Sequence, residues 1–176
     1  MYGDQTVPQV ARKYFVTGAA GFVGTRLVQA LAERGHAVRA LYHRNRPTAP
    51  PGFVWNDSDL FSSDQMELVR GDITDSDSLR RAMAGCTHVF HVAGCARNWS
   101  PDPRFFAEQN IEGARNVFAV AKESGVQRVV WTSTVVTFGP TRRGEIGDED
   151  MPRTTERCFT EYEATKLAAE QEALAL

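Results

Sequence analysis

No apolar run in this sequence reaches the roughly 18 residues that a membrane-crossing helix requires. Cysteine is scarce as well. Cys86, Cys95 and Cys158 are odd in number and scattered, which argues against a disulfide frame and for a reducing, cytoplasmic setting. Charge of one sign is also lacking: the net charge is −2 and the basic residues are dispersed, so there is no nucleic-acid footprint. There is no internal repeat and no low-complexity block. Residues 1–12 lack the basic-then-apolar layout of a signal peptide and read as a disordered leader. What is present is the make-up of a globular domain, 42% apolar and 24% charged over 176 residues, long enough for one sizeable core.

From residue 13 onward, strand-like and helix-like periods alternate. KYFVTG (13–18) is a short β-rich run, followed by helical spacing over 22–35 that stops at Gly35. HAVRALY (36–42) reads as a second strand, and the proline-rich stretch 44–65 as a surface loop. A third strand is expected at 66–72, a helix at 74–85, a fourth strand at 87–94 and a long amphipathic helix at 105–125. A fifth strand (126–139), a polar loop and a terminal helix near 160–175 complete the pattern. Strands separated by helices of this length imply βαβ units, so residues 13–176 are expected to form a doubly wound α/β domain with a parallel sheet. The runs VRALY, THVFHV and RVVW are nearly all apolar, as strands covered on both faces must be.

TGAAGFVG places Gly18, Gly21 and Gly24 between the first strand and the first helix. A dinucleotide pyrophosphate must approach backbone N–H groups at a helix N-terminus, and side chains would block it. The spacing is G-x-x-G-x-x-G, one residue longer in its first gap than the common fingerprint. About 20 residues on, an acidic side chain would hold the adenosine ribose. Here the sequence has Leu41-Tyr42-His43-Arg44, with Arg46 close behind and Arg39 inside the strand. An arginine at this place suits a 2′-phosphate, which favours NADP over NAD; a solvated basic loop is the bland alternative.

Six motifs in order then resemble those of the extended and atypical short-chain dehydrogenase/reductases, a Rossmann-type family. They are TGAAGFVG, GDI (Gly71, Asp72, Ile73), HVAG (His91 to Gly94), NIEGARN (Asn110, Gly113, Asn116), WTSTVVTFG and YEATK. The wording of NWSPDP, GDEDMP and EYEATKLAAEQ is most similar to the dihydroflavonol-reductase-like branch, which includes the hopanoid-associated sugar epimerase group. The resemblance implies an NAD(P)-dependent oxidoreductase, either a reductase or a nucleotide-sugar epimerase/dehydratase, acting on a carbonyl or hydroxyl of a small molecule. It places cofactor contacts at Ala20, Phe22 and Val23 of the glycine turn, and at Asp72 and Ile73 beside the adenine. Val92, Ala93, Gly94, Asn110 and Thr132 join them. Tyr162 is implied as the acid/base, Lys166 as the ribose-binding cation that assists it, and Thr134 as the hydrogen-bond partner of the substrate oxygen. Ser133 is the neighbouring candidate if the register differs by one. The chemistry stands on its own terms. A phenol titrates near 10, and a cation one helical turn away stabilises its phenolate.

His88 and His91 fall three apart on a strand, hence on opposite faces, so no metal site is expected. Cys95 reads as a small wall residue, while Arg97, Asn98 and Trp99 lie in a loop of the kind that builds ligand sites. Relatives in the resembled family run to roughly twice this length, so the small substrate domain is expected to be absent. QRVVWTSTVV would then be an unpaired sheet edge, covered by more chain or by a homo-oligomeric partner. A nucleotide-binding module or sensor without turnover, or an inactive fragment of a longer enzyme, is the reading from a different class.

Overall fold

The computed structural model describes residues 12–45, 66–97 and 99–175. Most of the expected leader, most of the proline-rich loop with Arg46, and Asn98 lie outside the described residues. Five parallel strands, β1 (Lys13–Thr17), β2 (Ala37–Tyr42), β3 (Met66–Arg70), β4 (His88–His91) and β5 (Arg128–Trp131), lie in the order β3-β2-β1-β4-β5. This is the arrangement expected of a doubly wound sheet, whose strand order reverses between β1 and β4. Val16 stands beside Ala40 of β2 and Phe90 of β4, and Thr17 beside His91.

Alternation along β1 divides the core. Phe15 points to one face, where Leu41, Leu79, Met83, Val89, Val117 and Val120 pack around it. Tyr14 and Val16 point to the other, against Val28 and Leu31 of α1 (Phe22–Glu33) and Val38 and Ala40 of β2. Each such side chain, fully buried, contributes about 1.5–3 kcal/mol. Helix α2 (Ser76–Met83) starts at Asp75, whose carboxylate accepts from Asp77 N at 3.0 Å and Ser78 N at 3.1 Å, a standard N-cap.

Three elements differ from the sequence expectation. The long helix is interrupted: α3 (Arg104–Ala107) passes through a π turn (Glu108–Glu112) into α4 (Gly113–Glu123). The wide turn carries the Asn110 side chain inward, and it hands over at Gly113, where an added Cβ would lie 2.6 Å from Ile73 Cδ1. The fourth strand stops at His91, because Val92 N and Ala93 N turn to the Thr17 hydroxyl, at 3.2 Å and 3.1 Å. The fifth strand is also short. Its ladder ends with Thr132 N donating to His91 O, and Thr137, by its N–H and its hydroxyl, closes a 3₁₀ turn (Val135–Phe138) on Thr134 O. Nor is β5 covered on both faces among the described residues: Val130 is 45% exposed, as befits the end of the sheet.

The last helix, α5 (Glu161–Leu174), begins with Thr160-x-x-Glu163. Thr160 caps Glu163 N at 3.1 Å, and the Glu163 carboxylate reaches back to Phe159 N, one residue before the cap, at 2.8 Å, a variant of the capping box. Ala169 and Ala173 pack α5 against Ala114 and Phe118 of α4 and Trp131 of β5. No helix among the described residues is long and apolar enough to cross a membrane.

Candidate functional site

A cleft of about 1110 Å³ opens at the C-terminal ends of the strands, around the β1/β4 switch. Gly18, Ala20 and Gly21 line it from the first turn, and Val92, Ala93 and Gly94 from the segment after β4. Arg44 follows β2 on its rim, and Asp72 and Ile73 follow β3. The cleft thus gathers residues that lie far apart in the sequence. Phe22, Val23, Gly24, Asn110, Thr132, Thr134, Tyr162 and Lys166 are not among its lining residues.

The glycines are required by space. Gly18 has φ +68°, and a Cβ there would meet Ala93 N at 2.7 Å. A Cβ on Gly24 would lie 2.1 Å from Gly18 O, so α1 can sit this close to the turn only without one. Gly21 is the N-cap of α1 and brings no side-chain cap, which leaves first-turn N–H groups for an anion at the positive end of the helix. The side chains of Phe22 and Val23 are exposed, and their backbone N–H groups belong to the uncapped first turn of α1.

The basic residues near β2 have separate duties. Arg39 Nε donates to Glu67 at 2.5 Å, and its Nη1 donates to Ala82 O and Ala84 O at 2.9 Å and 2.7 Å. It ties the end of α2 to the sheet and is not at the cleft. Arg44 is exposed on the rim. His43 Nε2 lies 3.2 Å from Asp72 Oδ2, joining the ends of β2 and β3, while Asp72 Oδ1 accepts from Thr74 N and Oγ1 at 2.9 Å.

α5 crosses the segment after β5, and there Lys166 reaches Thr132 while Glu170 reaches Ser133 and Thr137. Lys166 is buried; its Nζ donates to Thr132 O at 2.8 Å and sits 4.0 Å from the centre of the Trp131 ring. Burial pushes its ammonium down to about 8, with the Glu170 carboxylate opposing. Glu170 accepts from Ser133 Oγ and from Thr137 Oγ1, the latter at 3.2 Å. The Ser133 hydroxyl is therefore engaged, whereas Thr134 anchors the 3₁₀ turn through its carbonyl only. Tyr162 is half-buried one turn before Lys166 on the same helix, and among the described residues its hydroxyl makes no hydrogen bond.

Asn110 joins three parts of the site. Its Oδ1 accepts from Cys95 N at 2.7 Å, and its Nδ2 donates to Cys95 O at 3.1 Å and to Thr165 Oγ1 at 3.0 Å. Cys95 is buried and held by this bracket. Under the same segment, His91 is fully buried with Nδ1 2.8 Å from Thr17 Oγ1; burial, and the Lys166 charge after it, push the imidazole down to about 3. Trp99 is 74% exposed, and Arg97 lines the cleft. Among the described residues no group of three His, Cys, Asp or Glu is placed to hold a metal ion.

Sequence reasoning passed over Arg153 and Glu163. Their side chains, 15% and 9% exposed, form an ion pair of 2.6 Å at the start of α5. The only signal for it was the Thr-x-x-Glu box, since Arg153 sits in a stretch that reads as polar loop.

Comparisons with known proteins agree with this fold. Residues 14–176 match the sequence model of the NAD dependent epimerase/dehydratase family. A putative dihydroflavonol 4-reductase of Synechocystis is 37% identical over 92% of this chain and 44% of its own length. A 3 beta-hydroxysteroid dehydrogenase/isomerase of Mycobacterium tuberculosis is 36% identical over 98% of this chain and 45% of its own length. The crystal structure of a Thermus thermophilus UDP-glucose 4-epimerase in complex with NAD superposes with a TM-score of 0.73 at 27% identity, covering 93% of this chain and 50% of that one. The chain thus spans less than half the length of these curated relatives.

Proposed function

Because the chain belongs to the NAD-dependent epimerase/dehydratase family, we propose that it carries the nucleotide-binding and proton-transfer part of an NAD(P)-dependent oxidoreductase or epimerase. Its substrate class is a small molecule with a carbonyl or hydroxyl group, nucleotide sugars included. The observation that carries this reading is the N-terminus of α1, which has no side-chain cap and stands behind a glycine turn whose crowded backbone leaves no room for a Cβ. Such a cradle fits a pyrophosphate. Gly18, Ala20 and Gly21 would hold it, with the N–H groups of Phe22 and Val23, while Asp72, Ile73 and Val92 to Gly94 would flank the rest of a dinucleotide. Arg44 on the rim supports NADP as the preferred form, through a charge-assisted contact with the 2′-phosphate.

A bound nicotinamide supplies or accepts the hydride; the side chains handle the proton. Tyr162 would donate its phenolic proton to the substrate oxygen as a carbonyl is reduced, or accept it as a hydroxyl is oxidised. Lys166, held on the same face by Thr132 O and Trp131, would stabilise the phenolate through its positive charge. Thr134 would orient the substrate oxygen. Its neighbour Ser133 is committed to Glu170, which supports the threonine in that role. The three free cysteines fit a cytoplasmic protein.

The length coverage favours a second reading, a nucleotide-binding part whose turnover needs further chain. A fluorescence titration with NADPH and NADH, followed by turnover assays with ketones and nucleotide sugars, separates the two. Turnover that falls roughly 10²–10⁴-fold in Tyr162→Phe, with NADPH binding unchanged, is the expected result. Failure to bind either nucleotide sinks both readings; unaltered turnover in Tyr162→Phe removes its acid/base role.

A further inference from the structure

Five acceptors converge on one guanidinium beside α5. Arg153 Nη1 donates to Val136 O at 3.2 Å and Thr137 O at 2.9 Å. Its Nη2 faces Glu163 Oε1 at 2.6 Å, Arg157 O at 3.1 Å and Cys158 Sγ at 3.5 Å. Val136 and Thr137 belong to the turn that Thr134 opens, and Glu163 directly follows Tyr162. The other oxygen of Glu163 takes Phe159 N at 2.8 Å, so the carboxylate holds the start of α5 and the arginine at once. The buried Nε of Arg153 has no partner among the described residues, so the forked end alone fixes this side chain.

We propose that Arg153 is a positioning residue whose fork, together with Glu163, clamps the Thr134 turn onto the Tyr162 helix and so fixes the spacing of the proton-transfer groups. The clamp rests on the roles proposed above for Tyr162 and Thr134. The turn it grips also carries Thr137, whose hydroxyl holds Glu170, one turn beyond Lys166. A loosened turn therefore frees one of the two hydroxyl partners of Glu170, Ser133 keeping the other, and admits water to the Lys166 ammonium, which relieves its burial. Lysine cannot replace this arginine fully, since an ammonium cannot offer a planar fork to two carbonyls and a carboxylate.

The test needs neither cofactor nor substrate, so it stands apart from the nucleotide titration that decides the proposed function. The sequence has three lysines, Lys13, Lys122 and Lys166, so lysine labelled with ¹³C at the ε carbon gives three NMR signals to titrate. The titratable groups about Lys166 are His91 from β4, Tyr162 one turn earlier and Glu170 on its own helix. In wild type Lys166 is expected to titrate at about 8, because burial disfavours its ammonium. In Arg153→Met its midpoint is expected to rise by about one pH unit or more, with a smaller rise in Arg153→Lys and in Glu163→Gln. The double variant Arg153→Met/Glu163→Gln should match Arg153→Met alone, because both changes open one clamp. A simple loop staple would leave Lys166 unmoved. An unchanged Lys166 midpoint in folded Arg153→Met overturns the proposal. If that variant does not fold by circular dichroism, an unchanged midpoint in Glu163→Gln overturns it instead.

Discussion

Replacing Lys166 with methionine should make the protein more stable at pH 7 and less stable above about pH 10.5. Burial drives the ammonium from 10.5 to about 8. At roughly 1.4 kcal/mol per pH unit, the folded chain bears a cost of about 3 kcal/mol for keeping this group charged. The folded value lies below the unfolded one, so the unfolded chain holds more protons between about pH 8 and 10.5. Stability therefore rises with pH across that window and is flat in this respect below it. Methionine keeps the length and apolar stem of lysine. It forfeits the 2.8 Å hydrogen bond to Thr132 O and the cation over Trp131, together about 1–2 kcal/mol. The balance at pH 7 is a gain of about 1–2 kcal/mol; at pH 10.5, where the folded lysine is neutral and the unfolded one half protonated, most of the burial cost has gone and methionine loses only the hydrogen bond, up to about 1 kcal/mol. Urea unfolding of both chains at the two pH values, followed by circular dichroism, measures the crossing. A Lys166→Met chain that is less stable by the same amount at both would refute the reasoning, because the ammonium would then bear no burial cost.

Other perturbations test other parts of the site. Gly24→Ala puts a Cβ within 2.1 Å of Gly18 O, and overpacking against backbone should lower stability by about 3 kcal/mol or more in urea unfolding. Arg44→Ala should weaken NADPH binding about tenfold in a fluorescence titration and leave NADH unchanged, the signature of a lost 2′-phosphate contact. Asn110→Ala leaves both Cys95 backbone groups without their partner, for a loss of about 2–4 kcal/mol; less than 1 kcal/mol would mean that water replaces the amide. The Phe159 N–H first, and Arg153 after it, hold the Glu163 carboxyl below its usual 4.5. Its contribution is present above that value and lost as the pH falls through the lowered one, so Glu163→Gln should flatten the acid limb of the stability curve.

The elements that the sequence made legible are those whose cause is local. Gly18, Gly21 and Gly24 announce their turn because a close backbone approach excludes every other residue, and the alternation of Tyr14, Phe15 and Val16 gives β1 two buried faces. The candidate residues Tyr162 and Lys166 are visible as a spacing on one helix. What stayed hidden depends on partners far along the chain. The fourth strand reads as extending to Gly94, but the Thr17 hydroxyl takes two of its N–H groups. Arg39 and Arg44 look alike in sequence, and only the sheet commits the first to Glu67. Arg153 reads as a loop charge until folding brings Val136, Thr137 and Glu163 around it. Helical periodicity over 105–125 gives no warning of the π turn, since the apolar spacing on either side of it is ordinary.

That π turn amounts to one surplus residue in an otherwise regular rod. Each residue of an α-helix advances about 100° around the axis, so a single insertion rotates everything beyond it by that angle. Phe105, Glu108, Gln109, Glu112 and, just beyond the turn, Asn116 line the cleft, while Val117, Val120 and Ala121 pack into the core. One continuous helix can in this way serve as cleft wall and core filler, with Asn110 at the change of phase reaching both Cys95 and Thr165. Deleting Ile111 would restore an even pitch, shorten the rod by about 1.5 Å, and swing Asn110 out of line with the site it ties together.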